Sequence, residues 1–119
     1  MATILLIDDD DQLRRLFHSA LEDAGYRVLS AAGGKEGMRL LHDQVVDVIV
    51  VDIFMPDMDG LELIQLLRKS RCASKIIAIS GRSGATDYLD IAKHLGAHDT
   101  LMKPFSLQEL LDAVSSQLK

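Results

Sequence analysis

The chain reads as a doubly wound α/β fold, five parallel strands in one sheet with helices packed on both faces. Three observations predict it. Short β-branched apolar runs alternate with longer stretches whose apolar residues recur every three or four positions. The runs are apolar at successive positions, as strands covered on both faces must be. The segments between them are long enough to hold helices, and strand-helix-strand connections are right-handed crossovers joining parallel strands.

The first strand is Thr3-Ile4-Leu5-Leu6-Ile7, which stops at Asp8. Leu13, Leu16, Phe17, Ala20, Leu21 and Ala24 then share one helix face, with Asp10 or Asp11 placed to cap its start and Gly25 to end it. Tyr26 to Ser30 forms the second strand. Gly33-Gly34 turns the chain into a short helix bearing Met38, Leu40 and Leu41, and little favours this glycine pair as a phosphate cradle. Val45 to Val51 is the most strand-like run and ends directly on Asp52. A third helix follows from Asp59 to Lys69. Lys75 to Ser80 is the fourth strand, Gly81-Arg82-Ser83-Gly84 a loop, and Thr86 to Leu95 a fourth helix closed by Gly96. A short strand around Thr100-Leu101-Met102 and a helix from Ser106 to Leu118 complete the order βαβαβαβαβα. With no repeat, linker or low-complexity stretch, residues 1–119 read as one domain.

Composition narrows the function classes. A chain of 119 residues that is 48% hydrophobic can bury a real core. Its net charge of -5 argues against a surface that neutralises nucleic-acid phosphates. No basic N-terminal stretch leads into an apolar run, and no apolar segment approaches the roughly 20 residues that span a bilayer. Cys72 is the single cysteine and is read as an incidental or structural thiol, so no internal disulfide forms and a reducing compartment fits. The expectation is a soluble cytoplasmic protein without direct nucleic-acid or membrane contacts.

In doubly wound sheets, chemistry sits beyond the carboxyl ends of the strands, where strand order reverses. Asp8 and Asp9 end the first strand, Asp52 the third and Ser80 the fourth, and Lys103 lies just past the fifth. Taken singly, these acids read as loop or capping residues and Lys103 as a solvated lysine. Together they converge on one rim. Three crowded carboxylates repel one another unless a cation sits among them. An oxygen-only set with room for waters suits magnesium better than calcium or zinc. A carboxylate is also a nucleophile toward phosphorus, giving an aspartyl phosphate where the incoming charge is neutralised. The cation, Lys103 and the Ser80 hydroxyl can do that.

The segments Ile7-Asp8-Asp9-Asp10, Asp52-Ile53-Phe54-Met55-Pro56-Asp57-Met58-Asp59-Gly60, Ile79-Ser80-Gly81 and Lys103-Pro104-Phe105 resemble the four signature blocks of two-component response-regulator receiver domains. They occur in the family's order, and the resemblance covers the whole chain. It implies a flavodoxin-like sheet of order 2-1-3-4-5. It further implies that Asp9 ligates Mg2+ directly and Asp8 chiefly through water, that Asp52 is both phosphoacceptor and ligand, and that Phe54 offers its backbone carbonyl. Ser80 would hydrogen-bond the phosphoryl group and Lys103 would pair with it, next to a Lys103-Pro104 bond that is commonly cis in the family.

The same resemblance implies a histidine kinase or histidine phosphotransfer protein as donor. The domain would catalyse only its own phosphorylation and dephosphorylation. A surface of the fourth helix, fifth strand and fifth helix, here spanning 86–119, would report the state to a downstream protein. Since the fold uses the whole length, the signal is expected to leave by non-covalent contact or onward phosphotransfer.

One position departs from the family pattern. Thr100 stands where many receivers carry a Tyr or Phe that swings inward as the residue at Ser80 moves, so Ser80 and Thr100 are the switch positions in question. Coupling is expected to run through the loop of residues 81–84 instead. By the same resemblance Phe54 and Arg82, each two residues past a site residue, are expected to flank the phosphoryl pocket.

Two other function classes compete. A haloacid-dehalogenase-type phosphatase also forms an aspartyl phosphate, but it usually carries a second Asp where this chain has Phe54. A phosphorylation-independent binding module would use the same output face without the chemistry. His94 and His98 are four apart but separated by Gly96, which argues against a zinc pair. His18 reads as an ordinary helix residue, and Met55 and Met58 as adaptable packing.

Overall fold

The computed structural model describes residues 1–81 and 85–119. The elements are β1 (Thr3–Ile7), α1 (Asp11–Asp23), β2 (Arg27–Ala31), α2 (Gly34–Asp43), β3 (Val48–Asp52), α3 (Gly60–Lys69), β4 (Lys75–Ser80), α4 (Ala85–Leu95), β5 (Asp99–Met102) and α5 (Leu107–Gln117). The strands form one parallel sheet of order β2-β1-β3-β4-β5, as expected. Strand order reverses between β1 and β3, so their carboxyl ends flank the crevice.

Alternate strand residues feed two separate cores because side chains point to opposite faces of a sheet. Leu5, Ile7, Ile49, Val51 and Ile76 pack beneath α3 and α4 with Leu63, Ile64, Leu67, Leu89 and Ala92. Met38, Leu40 and Leu41 of α2 join this layer. Ile4, Leu6, Val48, Val50, Ile77 and Ile79 meet Phe17 and Leu21 of α1 and Leu110, Ala113 and Val114 of α5 on the other face. Every residue of β1 and β3 is buried, which explains why these runs lack the alternation of half-exposed strands. Truncating a fully buried member such as Ile49 to Ala would cost about 2–5 kcal/mol.

Local hydrogen bonds correct several boundaries. Asp10 rather than Asp11 caps α1, accepting from the N–H groups of Gln12 and Leu13. β2 runs from Arg27 to Ala31, one residue later than expected, because the Tyr26 N–H is taken by the Leu21 carbonyl in the turn around Gly25. β3 begins at Val48. Val45 is 86% exposed, and the Asp47 carboxylate accepts the Thr3 N–H at 2.8 Å, so these residues form the approach to the strand. Asp59 and Ser106 stand outside α3 and α5 as caps, and Ser106 forms a reciprocal capping box with Glu109. No helix among the described residues is long and apolar enough to cross a membrane.

Candidate functional site

The strand ends deliver the site. Asp8 follows β1, and its N–H donates to the Ala31 carbonyl at 3.2 Å, which continues the β1–β2 pairing one step past the strand. Asp52 is the last residue of β3 and Ser80 the last of β4. Lys103 comes one residue after β5, is held by its N–H to the Ser80 carbonyl at 2.8 Å, and precedes a cis peptide bond to Pro104. Gly60, at the start of α3, donates its N–H to the Ile53 carbonyl at 2.8 Å. A Cβ there would lie 2.5 Å from the Asp52 carbonyl oxygen, so only glycine lets α3 start this close to β3.

Lys103 ties the carboxylates together. Its Nζ donates to Asp8 Oδ2 at 3.1 Å and to Asp52 Oδ2 at 3.2 Å. The other Asp52 oxygen, Oδ1, accepts the Phe54 N–H at 3.1 Å. Asp8 and Asp52 are buried while Asp9 is exposed. Burial pushes the Asp52 carboxyl up to about 6, against the opposing pull of Lys103 and with a further push from Asp8. For Lys103, burial works toward neutrality, but Asp52 and then Asp8 outweigh it and hold the ammonium above its ordinary value. One lysine between two buried carboxylates thus stays charged.

Asp8, Asp9 and Asp52 each offer a carboxylate oxygen, and the three lie within 4.8 Å of one another. The donor set is oxygen only, opens to water on the Asp9 side, and carries more negative charge than Lys103 neutralises. It fits a hard divalent cation with a partly aqueous shell. The Ser80 hydroxyl is fully buried and has no hydrogen-bond partner among the described residues. An unsatisfied buried hydroxyl costs about 1–3 kcal/mol, so its retention at the rim of a charged site calls for a use.

A cavity of about 590 Å³ opens from Asp52 and Lys103 between Leu13 and Leu16 of α1 and the Pro104-Phe105 turn. The structure therefore gathers Asp8, Asp9, Asp52 and Lys103, with Ser80 at the adjoining strand end and Phe54 on the cavity wall. Thr100 lies elsewhere in the register. It pairs with Ala78, two residues before Met102 pairs with Ser80, and its N–H donates to the Asp99 carboxylate at 2.8 Å. Arg82 and the other residues of the loop before α4, Ser83 and Gly84, lie outside the described residues.

His98 uses its Nδ1 to accept the Ile76 N–H at 3.0 Å, a structural role. His18 pairs its Nδ1 with the Ser30 hydroxyl at 2.6 Å. Two participants escaped the sequence reading: Asp57, which reaches α2, and Tyr88, which meets Phe54. Each acts on residues more than 20 positions away, and neither has a local pattern to announce it.

Residues 4–115 match the family model of the response regulator receiver domain. The chain belongs to that family. The receiver is 36% identical to the transcriptional regulatory protein YrkP of Bacillus subtilis over 116 residues, 98% of this chain and 49% of that protein. It is 31% identical to the alkaline phosphatase synthesis transcriptional regulatory protein PhoP of the same organism, over 98% of this chain and 48% of PhoP. The chain spans about half the length of the curated relatives it matches.

Among solved structures, the receiver resembles the chemotaxis response regulator CheY4 of Vibrio cholerae, with TM-score 0.89, 30% identity and 98% of each chain covered. It also resembles the response regulator TrrA of Thermotoga maritima in complex with Mg2+ and BeF, with TM-score 0.87, 29% identity and coverage of 98% and 99%. Receiver domains of two-component systems bind Mg2+ in an acidic pocket, and Asp8, Asp9 and Asp52 form an acidic pocket here.

Proposed function

We propose that this receiver, formed by residues 1–119 as one domain, accepts a phosphoryl group on Asp52 from the phosphohistidine of a histidine kinase or histidine phosphotransfer protein. Carrying the reading is the Lys103 ammonium, shared between Asp8 and Asp52 at 3.1 and 3.2 Å inside a three-carboxylate cluster. Asp8, Asp9, Asp52 and the Phe54 carbonyl would hold Mg2+, which when bound supplies positive charge to the phosphoryl oxygens.

The remaining chemistry belongs to the chain. The Phe54 N–H holds one Asp52 oxygen, leaving the Oδ2 side to attack phosphorus; the new O–P bond forms as the P–N bond breaks, and the imidazole, already protonated by solvent on its other ring nitrogen, leaves as a neutral ring carrying the P–N electron pair. Lys103 moves from the carboxylates toward the added phosphoryl charge, and the Ser80 hydroxyl, without a partner among the described residues, donates to a phosphoryl oxygen. The receiver acts on its own Asp52 and hydrolyses that same bond, turning over no separate substrate.

Charge and hydrogen bonds gained at the site bias α4, β5 and α5, which offer Tyr88, Ile91 and Met102 as partly exposed apolar groups to a downstream protein in the cytoplasm. Neither nucleic acid nor membrane enters this reading. Phe54 weighs against phosphatase turnover, since a phenyl ring has no proton to exchange at the position where a haloacid-dehalogenase-type enzyme carries its acid/base.

Intact-protein mass spectrometry with Mg2+ and acetyl phosphate tests the proposal. One phosphoryl adduct should form in the wild type and none in Asp52→Asn. An adduct that persists in the variant moves the acceptor elsewhere, and equal partner binding by both proteins without any adduct favours the phosphorylation-independent module.

A further inference from the structure

The loop from Ile53 to Asp59 leaves the end of β3 and returns to α3. Its base is closed by the Gly60 N–H bond to the Ile53 carbonyl. Its tip is held from outside: Asp57 Oδ1 accepts the Gly34 N–H at 3.2 Å and Oδ2 accepts the Lys35 N–H at 3.1 Å. These are the first N–H groups of α2, whose own N-cap residue, Gly33, has no side chain to offer them.

The glycines are cut to fit this arrangement. Gly33 has φ -164° and ψ 176°, an extended conformation open to any residue, so its lack of a side chain serves space rather than backbone freedom. A Cβ on Gly33 would lie 2.6 Å from both Asp57 carboxylate oxygens, and one on Gly34 would lie 2.8 Å from the Met58 Cβ. Two consecutive glycines therefore make room for two consecutive residues of one loop. The backbone N–H of Lys35, followed by that of Gly34, holds the Asp57 carboxyl below the usual carboxylate range against a cost of burial, so it keeps its charge at the positive end of α2.

We propose that Asp57 is a positioning residue for the acidic site, latching the loop that carries Phe54 onto the N-terminus of α2. Phe54 is three residues from the latch and donates its N–H to Asp52 Oδ1. The same loop, through Phe54, Met55 and Pro56, lines a cleft of about 240 Å³ with Asp9. A tip released from α2 lets Phe54 drift from Asp52 and the cleft open beside Asp9. The latch thereby sets both the orientation of the Asp52 carboxylate and the affinity of the carboxylate cluster for Mg2+. The second consequence rests on the receiver reading; the first does not.

The test uses the full chain with two readouts. In metal-free protein, hydrogen exchange of the Phe54 amide should lose protection in Asp57→Ala and keep most of it in Asp57→Asn, whose side-chain oxygen still accepts from α2. In Mg2+ titrations, Asp57→Ala should bind about tenfold more weakly, the order seen when groups that orient metal ligands are removed. Gly33→Ala should reproduce Asp57→Ala by pushing the carboxylate aside, and the double variant should be no worse than either single one. Val114→Ala, which loosens α5 on the opposite face of the sheet and leaves α2 in place, controls for stability and should leave the Phe54 amide and Mg2+ affinity at wild-type values. Wild-type Phe54 protection in Asp57→Ala overturns the proposal whatever the metal does, as does a loss that Val114→Ala matches at equal stability. Phe54 protection lost in Asp57→Ala while the wild type takes up no Mg2+ upholds the latch and overturns the receiver reading instead.

Discussion

The ring of Phe54 meets the ring of Tyr88 edge-on, with centroids 4.8 Å apart and planes at 82°. Phe54 is also the residue whose N–H holds Asp52 Oδ1, and Tyr88 lies on α4 with 38% of its surface exposed. Two successive contacts, Asp52 to the Phe54 backbone and the Phe54 ring to Tyr88, therefore connect the candidate phosphoacceptor to the surface of α4. Such aromatic pairs contribute about 0.5–1.5 kcal/mol beyond their buried area, enough to bias a two-state equilibrium severalfold.

This contact bears on signalling because Thr100 leaves the fifth strand without an aromatic ring. The chain has two tyrosines and no tryptophan, so Tyr26→Phe leaves Tyr88 as the sole fluorescent reporter. Its emission should change when Mg2+ and beryllofluoride are added, and Phe54→Leu should abolish the change while adduct formation continues. A response unaltered by Phe54→Leu would remove this contact from the coupling route. Thr100→Phe, which supplies an aromatic ring without a second tyrosine reporter, should leave the response as in wild type.

Lys103→Met should destabilise the metal-free protein by about 3 kcal/mol, because it strands the buried Asp8 and Asp52 carboxylates without their shared cation. Mg2+ should restore part of the loss by returning positive charge to the cluster. Urea unfolding with and without Mg2+ reads both effects, and a loss of stability that Mg2+ does not reduce would argue against metal binding at these carboxylates.

Asp52→Asn should stabilise the metal-free protein near pH 7. The folded-state pKa is raised from 3.8 to about 6, so across that interval the native state binds more protons than the unfolded chain and stability falls as pH rises. The variant escapes this loss. The expected gain is on the order of 1–2 kcal/mol at pH 7, reduced by solvent at the mouth of the site, and vanishes below pH 4. Denaturant midpoints across this range give the difference directly, and a variant less stable than wild type at pH 7 would refute it.

His98 should make β4–β5 pairing sensitive to acid. Its ring Nδ1 accepts the Ile76 N–H while the His98 backbone N–H donates to the Ile76 carbonyl at 2.7 Å, so a protonated ring cannot keep the first bond. Burial first, then the cations Lys75 and Arg68, hold its pKa below the ordinary 6.5. With the folded value depressed, the unfolded chain takes up the proton first as pH falls through 6.5, and the contribution present above that pH is lost. His98→Asn keeps an acceptor for Ile76 without the titration. It should flatten the stability profile from pH 6.5 downward, and an unchanged slope in thermal unfolding would count against the assignment.

Much of this protein is written locally. The apolar runs of β1, β3 and β4, the glycine after α1 and the caps at Asp10, Asp59 and Ser106 follow from side-chain periodicity and from backbone groups that must be satisfied within a few residues. Parallel strands with their charged residues at the carboxyl ends then bring Asp8, Asp52 and Lys103 to one rim, which is why strand order and sequence position alone single these residues out. Where local signals competed, the reading slipped: Val45 and Val46 look like strand, but Asp47 engages Thr3 and the ladder starts at Val48.

Tertiary structure alone decided the pairings. Lys103 bridges residues 95 and 51 positions away, Asp57 caps a helix 22 and 23 positions upstream, and Phe54 finds Tyr88 on a different helix. A single charge or ring carries no period, and its partner is set by how two helical layers close over the sheet. The sequence determined which residues stand at the rim; packing determined which of them touch.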